Sequence, residues 1–331
     1  MLMVYLTIFV LSIVVLTVIQ YNDTFAAEPV RVMSYNIRFD NPLDGENRWE
    51  CRKDRLARVI LSHGPDVLGV QEALHHQVLD LAGFLNEYAW YGAGREDGAE
   101  KGEFMAIFYK ASRFEMIKNG TFWLSPATDQ PSKGWDADVI RVCSWVMLRD
   151  KASQRIFFHF NTHFDHLGRR AREECAKLLL ERIPRLNEGF PVVLTGDFND
   201  SPESDFYREM VREGFLKDAK RNAHLPHQGP HGTWSTLEVA KGIGNQIDFI
   251  FVSSPVEVIR HATLTDSHEG HYPLTTSPSW LIFDSEFGSC DVCVIPFIRP
   301  YLLLRRSAFG GRLQSSACVA CSFILASTIR S

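Results

Sequence analysis

Pro191-Val192-Val193-Leu194-Thr195-Gly196-Asp197-Phe198-Asn199 is the stretch on which the reading of this chain turns. A short unbroken apolar run bounded by Pro and Gly predicts a buried strand over Pro191 to Thr195. Asp197 and Asn199 leave it two residues apart, which on an extended chain points both side chains to one side. A carboxylate beside a neutral amide suits a group that handles a nucleophilic water and another that holds an oxygen of the group under attack.

The same grammar recurs outward from that stretch. Val30 to Ile37 predicts a strand carrying Asn36, and Val67 to Val70 a buried strand running into Gln71-Glu72. An acid at the end of a buried strand is costly unless it is paired, exposed or bound to a cation. Arg155 to Phe160 predicts a strand that delivers Asn161-Thr162-His163, with His159 and His166 competing for the same role. Ile247 to Val252 predicts another, in which Asp248 is a buried carboxylate in need of a partner, most naturally a histidine. Further strands are expected at Glu103 to Tyr109 and Val139 to Leu148. Amphipathic or short helices are expected at Arg48 to His63, Val78 to Leu85, Arg169 to Leu186 and Ser204 to Glu213. Strands in pairs with intervening helices predict an α/β sandwich of two packed sheets under outer helices, with the polar clusters gathered on one rim.

Composition narrows the function. The chain has 331 residues, 45% of them hydrophobic, enough for a substantial core. A net charge of -5 and the lack of any long Lys/Arg run leave no basic patch for tight duplex binding. That argues against a strong nucleic-acid binder but not against a nuclease working through a bound cation. Met1 to Ile19 is almost uninterruptedly apolar and is followed by small Ala26-Ala27. Residues 1–27 therefore read as a signal peptide or a membrane anchor, the chain's sole expected membrane contact. The folded part is expected to be secreted or periplasmic, or anchored facing outside the cytoplasm, and monomeric. Cys51, Cys143 and Cys175 lack framework spacing and read as buried or free thiols.

Together these residues resemble the endonuclease/exonuclease/phosphatase superfamily, shared by secreted deoxyribonucleases, abasic-site endonucleases, inositol-polyphosphate phosphatases, sphingomyelinases and deadenylases. The resemblance covers about Val30 to Pro273 and rests on motif order and spacing, Gly196-Asp197-Phe198-Asn199 being the most specific. Arg48-Trp49, Trp90-Tyr91-Gly92-Ala93-Gly94-Arg95 and Gly102-Glu103-Phe104 bring it nearest to the bacterial and fungal hydrolases of that group. It implies a four-layer α/β sandwich over residues 28–273, two mixed β-sheets flanked by helices. It also implies hydrolysis of a phosphate ester, of phosphodiesterase, nuclease or phosphatase type, by an activated water. On the same resemblance Glu72 would bind the catalytic cation, Mg2+ or alternatively Mn2+, with Asn36 beside it. An oxygen-rich set suits such a hard ion. His163 would contact the phosphate or leaving oxygen, Asp197 would orient or deprotonate the water, and Asn199 would stabilise the transition state. Asp248 would hold a terminal histidine, and Arg141 would contact the phosphate.

The family's closing motif reads Ser-Asp-His, then an aromatic residue, Pro and apolar residues. Here Thr265-Asp266-Ser267-His268-Glu269-Gly270-His271-Tyr272-Pro273 approaches it and the chain continues Leu274-Thr275-Thr276-Ser277-Pro278-Ser279-Trp280-Leu281. One coding of those last eight residues is CTG ACC ACT TCC CCA TCG TGG CTN. A single T placed in front gives TCT GAC CAC TTC CCC ATC GTG GCT, which reads Ser-Asp-His-Phe-Pro-Ile-Val-Ala. The sequence thus points to a one-nucleotide deletion near the Pro273/Leu274 boundary. On that reading 274–331 is an out-of-frame tail, the last strand is lost, and a catalytically inactive member of the superfamily becomes the alternative. Spacing alone would make Cys290, Cys293, Cys318 and Cys321 a zinc ribbon; an unselected frame makes them incidental.

Overall fold

The computed structural model describes residues 28–235, 241–266 and 279–284. The expectations for 1–27 and for most of 274–331 lie outside the described residues. The chain divides into two units, Met1–Ser289 and Cys290–Ser331, and every described residue belongs to the first.

One six-stranded sheet contains β1 (Val30–Asn36), β2 (Val67–Ala73), β3 (Tyr88–Tyr91), β4 (Phe104–Lys110), β11 (Glu257–Thr263) and β12 (Ser279–Asp284), in the order β11-β12-β1-β2-β4-β3. The other contains β5 (Phe114–Trp123), β6 (Val142–Asp150), β7 (Ile156–His163), β8 (Val192–Asp197), β9 (Leu216–Asp218) and β10 (Asp248–Ser253), in the order β5-β6-β7-β8-β10-β9. β1 and β2 run parallel, as do β7 and β8, and the other pairs are antiparallel, so both sheets are mixed.

Alternation along the strands builds the layers. Val32, Val67, Ile107, Val146, Val193 and Ile250 point inward and form the core between the sheets. Met33, Tyr35, Leu68 and Val70 point outward, under α1 (Trp49–His63) and α2 (His75–Phe84). On the opposite outer face Val192, Leu194, Phe249 and Phe251 pack under α3 (Arg169–Leu186) and α4 (Asp205–Val211). Helix, sheet, sheet, helix is the expected four-layer sandwich. α1 buries Leu56 and Ile60 and stops at Gly64, whose φ of 53° only glycine adopts freely; its N–H closes on Ile60 O at 2.9 Å. Among the described residues no helix is long and apolar enough to cross a membrane.

The final strand, expected to be lost, is present. β12 pairs antiparallel with β1, from Val30 opposite Phe283 to Ser34 opposite Ser279, and with β11 on its other side. Main-chain pairing asks only for extended, preferably apolar, residues. Trp280-Leu281-Ile282-Phe283 supplies such a run, and Phe283 stacks edge-on against Phe157 at 5.9 Å.

Candidate active site

The inner faces of the strands change character along their length. β1 runs Val32, Ser34, Asn36; β2 runs Val67, Gly69, Gln71; β7 runs Phe157, His159, Asn161, His163; β8 runs Val193, Thr195, Asp197; β10 runs back from Val252 through Ile250 to Asp248. All these positions share the face between the sheets, so one end of the sandwich has an apolar interior and the other a polar one. The polar residues nearest the middle bond to each other, although Gln71 Oε1 and His159 Nδ1 have no partner among the described residues. Asn161 Nδ2 donates to Val70 O (2.8 Å) and Ala106 O (3.0 Å), while its Oδ1 accepts from Gln71 Nε2 (2.6 Å) and Thr195 Oγ1 (3.0 Å). Gly69 leaves the room: a Cβ there would come 2.2 Å from Thr195 Oγ1.

At the rim, two residues depart from strand geometry. By alternation Glu72 would face outward, but β2 is irregular between Val70 and Ala73 and Glu72 has a left-handed φ of 63°. The carboxylate thereby meets Asn36, whose Nδ2 donates to Glu72 Oε1 at 2.7 Å and to Asp197 Oδ2 at 2.9 Å. Asn199 lies beyond the end of β8 and also has a positive φ, 52°. Its N–H donates to Asp197 Oδ1 (2.9 Å), and its Nδ2 to His163 Nε2 (2.8 Å) and Phe164 O (2.9 Å). The turn, rather than continued strand alternation, brings Asn199 and Asp197 together. Accepting the Asn199 hydrogen bond at Nε2 puts the His163 hydrogen on Nδ1.

Glu72, His163 and Asp197 each offer a ligand atom within 4.8 Å of the others. Two carboxylates from β2 and β8 fit a divalent cation, and the imidazole from β7 could complete the set once its Nε2 is released by Asn199. Burial, followed by the nearby Glu72, pushes Asp197 up to about 6 against the hydrogen bonds from Asn36 and Asn199. Burial, and then the charges of Arg141 and Arg95, hold His163 well below its usual value, so it is a neutral imidazole. A cation among these groups would offset the cost of the buried negative charge. Asn36 turns its Oδ1 to Arg38 N (2.9 Å) and its amino group to the acids. It bridges the two carboxylates here, and an oxygen ligand role would require the amide to turn over.

Asp248 sits opposite Asp197 across the β8/β10 pair. Burial, then Asp197, holds its carboxyl well above the usual range, and neither of its oxygens has a hydrogen-bond partner among the described residues. Arg141 is buried, with Nη2 3.2 Å from His166 Nδ1, Nε 3.5 Å from Asp165 and Nη1 unpartnered among the described residues. The seven residues picked from sequence therefore collect at one rim. Sequence reasoning gave no role to Thr233, whose Oγ1 receives Ile247 N and Asp248 N (3.0 Å each), or to the Arg95–Glu103 ion pair (2.6 Å). Burial pushes Glu103 up to about 7, against the pull of Arg95. A usable signal existed: in an antiparallel strand the rim lies at the start, and Glu103 and Asp248 both stand at strand starts.

A family model described as "Endonuclease/Exonuclease/phosphatase family" matches residues 33–279. The chain belongs to this family. Members of the endonuclease/exonuclease/phosphatase family are hydrolases of phosphate esters and generally depend on a metal. Among solved structures, a mannosyl-6-phosphatase of Bacteroides thetaiotaomicron is similar at 35% identity and TM-score 0.74, over 77% of this chain and 99% of that one. A functionally unknown protein of Enterococcus faecalis is similar at 29% identity and TM-score 0.71, over 77% of this chain and 99% of that one. Nocturnin of Rattus norvegicus is 24% identical over 279 residues, covering 74% of this chain and 63% of its own length. The chain spans 32% to 64% of the length of the first curated relatives it matches.

Proposed function

We propose that this chain is a magnesium-dependent hydrolase of phosphate esters that uses an activated water, with Mn2+ as an alternative ion. The observation that carries this reading is the convergence of Glu72, His163 and Asp197 within 4.8 Å at the polar end of both sheets. Glu72 and Asp197 would hold the cation, with His163 joining them only if Asn199 released its Nε2, and the bound ion would supply Lewis-acid polarisation of a phosphoryl oxygen. Asp197 would orient the attacking water and accept its proton. Arg141 Nη1, without a partner among the described residues, donates to a phosphoryl oxygen as charge builds on it, and Asn199 Nδ2, whose two hydrogens are on His163 Nε2 and Phe164 O, would do the same only by releasing one of them. His163, neutral and fixed through Nε2, keeps Asn199 in place. Nucleic acid, nucleotide, phospholipid head group and sugar phosphate are the candidate substrates, and the mannosyl-6-phosphatase likeness favours sugar phosphate among them. The proposal includes action outside the cytoplasm as a monomer.

One observation favours a second reading, an inactive member of the family: the Asp248 carboxyl, whose oxygens have no hydrogen-bond partner among the described residues, with no Asp-His pair following it in the sequence. Hydrolysis of p-nitrophenyl phosphate and bis-p-nitrophenyl phosphate across a Mg2+ titration separates the two. The enzyme reading expects Mg2+-dependent turnover, with Glu72→Gln raising the Mg2+ needed for half-maximal rate by about tenfold or more. An unchanged metal requirement in Glu72→Gln would place the cation elsewhere. No turnover of either ester with Mg2+ or Mn2+ would establish the inactive reading.

A further inference from the structure

Beside the candidate cation site stands an arginine that the proposed chemistry does not use. Arg95 lies in the connection between β3 and β4, where its N–H donates to Glu103 O (3.1 Å) and its Nη1 to Glu103 Oε2 (2.6 Å). The two side chains are only 12% and 14% exposed. Two contacts seat this pair at the rim. Phe104, next to Glu103, pairs with Ala73, next to Glu72. Arg95 O receives Trp123 Nε1 (2.7 Å), and Trp123 pairs with Val142, next to Arg141. Met105, Trp123 and Val142 pack together beneath. Arg95 thus stands between the strand end that carries Glu72 and the strand start that follows Arg141.

Its remaining donors matter most. Glu103 occupies Nη1 alone, so the Nε/Nη2 edge, the side that grips an oxyanion with two parallel hydrogen bonds, has no partner among the described residues. Arg141 likewise keeps a buried Nη1 unpartnered. Both guanidinium groups act on His163, whose pKa they help depress.

We propose that the site selects phosphomonoesters over phosphodiesters, with Arg95, held by Glu103, and Arg141 gripping the terminal phosphoryl oxygens. The proposal rests on the phosphate-ester reading above and names its substrate class. A diester carries one negative charge and two unesterified oxygens. A monoester carries close to two charges above neutral pH and three such oxygens. A divalent cation and one arginine already meet the needs of a diester. A second guanidinium with a free two-pronged edge has an oxygen to bind only when the phosphoryl group is terminal. Glu103 acts here as a positioning residue: it fixes the Arg95 plane and leaves the useful edge open.

The test uses two non-hydrolysable anions that differ by one methyl group and one charge, phenylphosphonate and its monomethyl ester. Both are titrated calorimetrically into the full chain with Mg2+ at pH 8. The ratio of the two affinities within one variant does not depend on the fraction of folded protein. The unsubstituted chain is expected to bind the dianion about tenfold or more tighter than the ester, as suits a charge-assisted bidentate contact. Arg95→Gln should bring that ratio to within about threefold of unity, the ester's own affinity barely changing. Should Arg95→Gln not fold, Arg95→Lys answers in its place, since it keeps the charge, loses the two-pronged edge and should lower the ratio severalfold. Equal affinities in the unsubstituted chain, or a ratio untouched by either substitution, would overturn the monoester preference and leave the phosphoesterase reading standing. Failure of both anions to bind in a Mg2+-dependent way would bring down both.

Discussion

Three non-glycine residues at the rim, Arg38, Glu72 and Asn199, have positive φ values between 52° and 63°. Such backbone costs about 1 to 2 kcal/mol per residue for ordinary side chains and less for Asn, and it persists where the surroundings enforce it. At Asn199 the backbone and side-chain contributions can be separated. Asn199→Ala and Asn199→Gly both remove the hydrogen bond to His163 and should both lose hydrolysis. In chemical denaturation, however, the Ala variant should unfold about 1 kcal/mol more easily than the Gly variant. Equal stabilities would mean that this turn is not strained. The same backbone marks the limit of what sequence could reveal. Asn36, His163, Asp197 and Asp248 fall on the correct face by simple alternation, so a polar residue ending an apolar run was enough to find them. Glu72 reaches the site only through a left-handed turn that no periodicity encodes. It was found as an acid out of place, not as a side chain known to point inward.

Helices were legible because apolar spacing repeats over several turns: α1 and α3 lie close to the expected 48–63 and 169–186. The strands β3, β5, β9 and β11 were not anticipated. β5 is a sheet edge that carries Glu115, Lys118 and Asn119 among its apolar residues, and β11 contains Arg260 and the buried His261. Edge exposure and isolated buried polar groups blur the period of two by which strands are recognised. β12 was judged lost because its expected sequence was missing, whereas the slot needs an extended apolar run more than one particular motif. Phe283→Ala tests how much that slot contributes. The ring is 1% exposed and packed against Phe157, so its truncation should cost about 3 to 5 kcal/mol of unfolding free energy. A change of a few tenths would mean that β12 is not held in the sheet.

Across the whole molecule, acids and imidazoles pull stability in opposite directions with pH. Asp197 and Glu103, raised to about 6 and 7, stabilise the fold fully below pH of about 4 and lose that contribution as pH rises through those values. His159 and His261, pushed down to about 3 by burial, stabilise it above pH of about 6.5 and lose that contribution as pH falls toward 3. The metal-free curve blends the two, so the increment on adding Mg2+ is the cleaner measurement. Protons and the cation compete for Asp197, and the gain in melting temperature should therefore be small at pH 5 and several degrees larger at pH 8. An equal gain at both would remove Asp197 from the cation site. The placement of β12 also carries a consequence for synthesis. Among the described residues β11 joins its sheet only through β12, which ends at Asp284, whereas the described strands of the second sheet are all made by Ser253. On the ribosome the second sheet can assemble while β1 still waits for its neighbour, leaving a hydrogen-bonding edge open until β12 arrives, and that interval is when a chaperone would find something to hold.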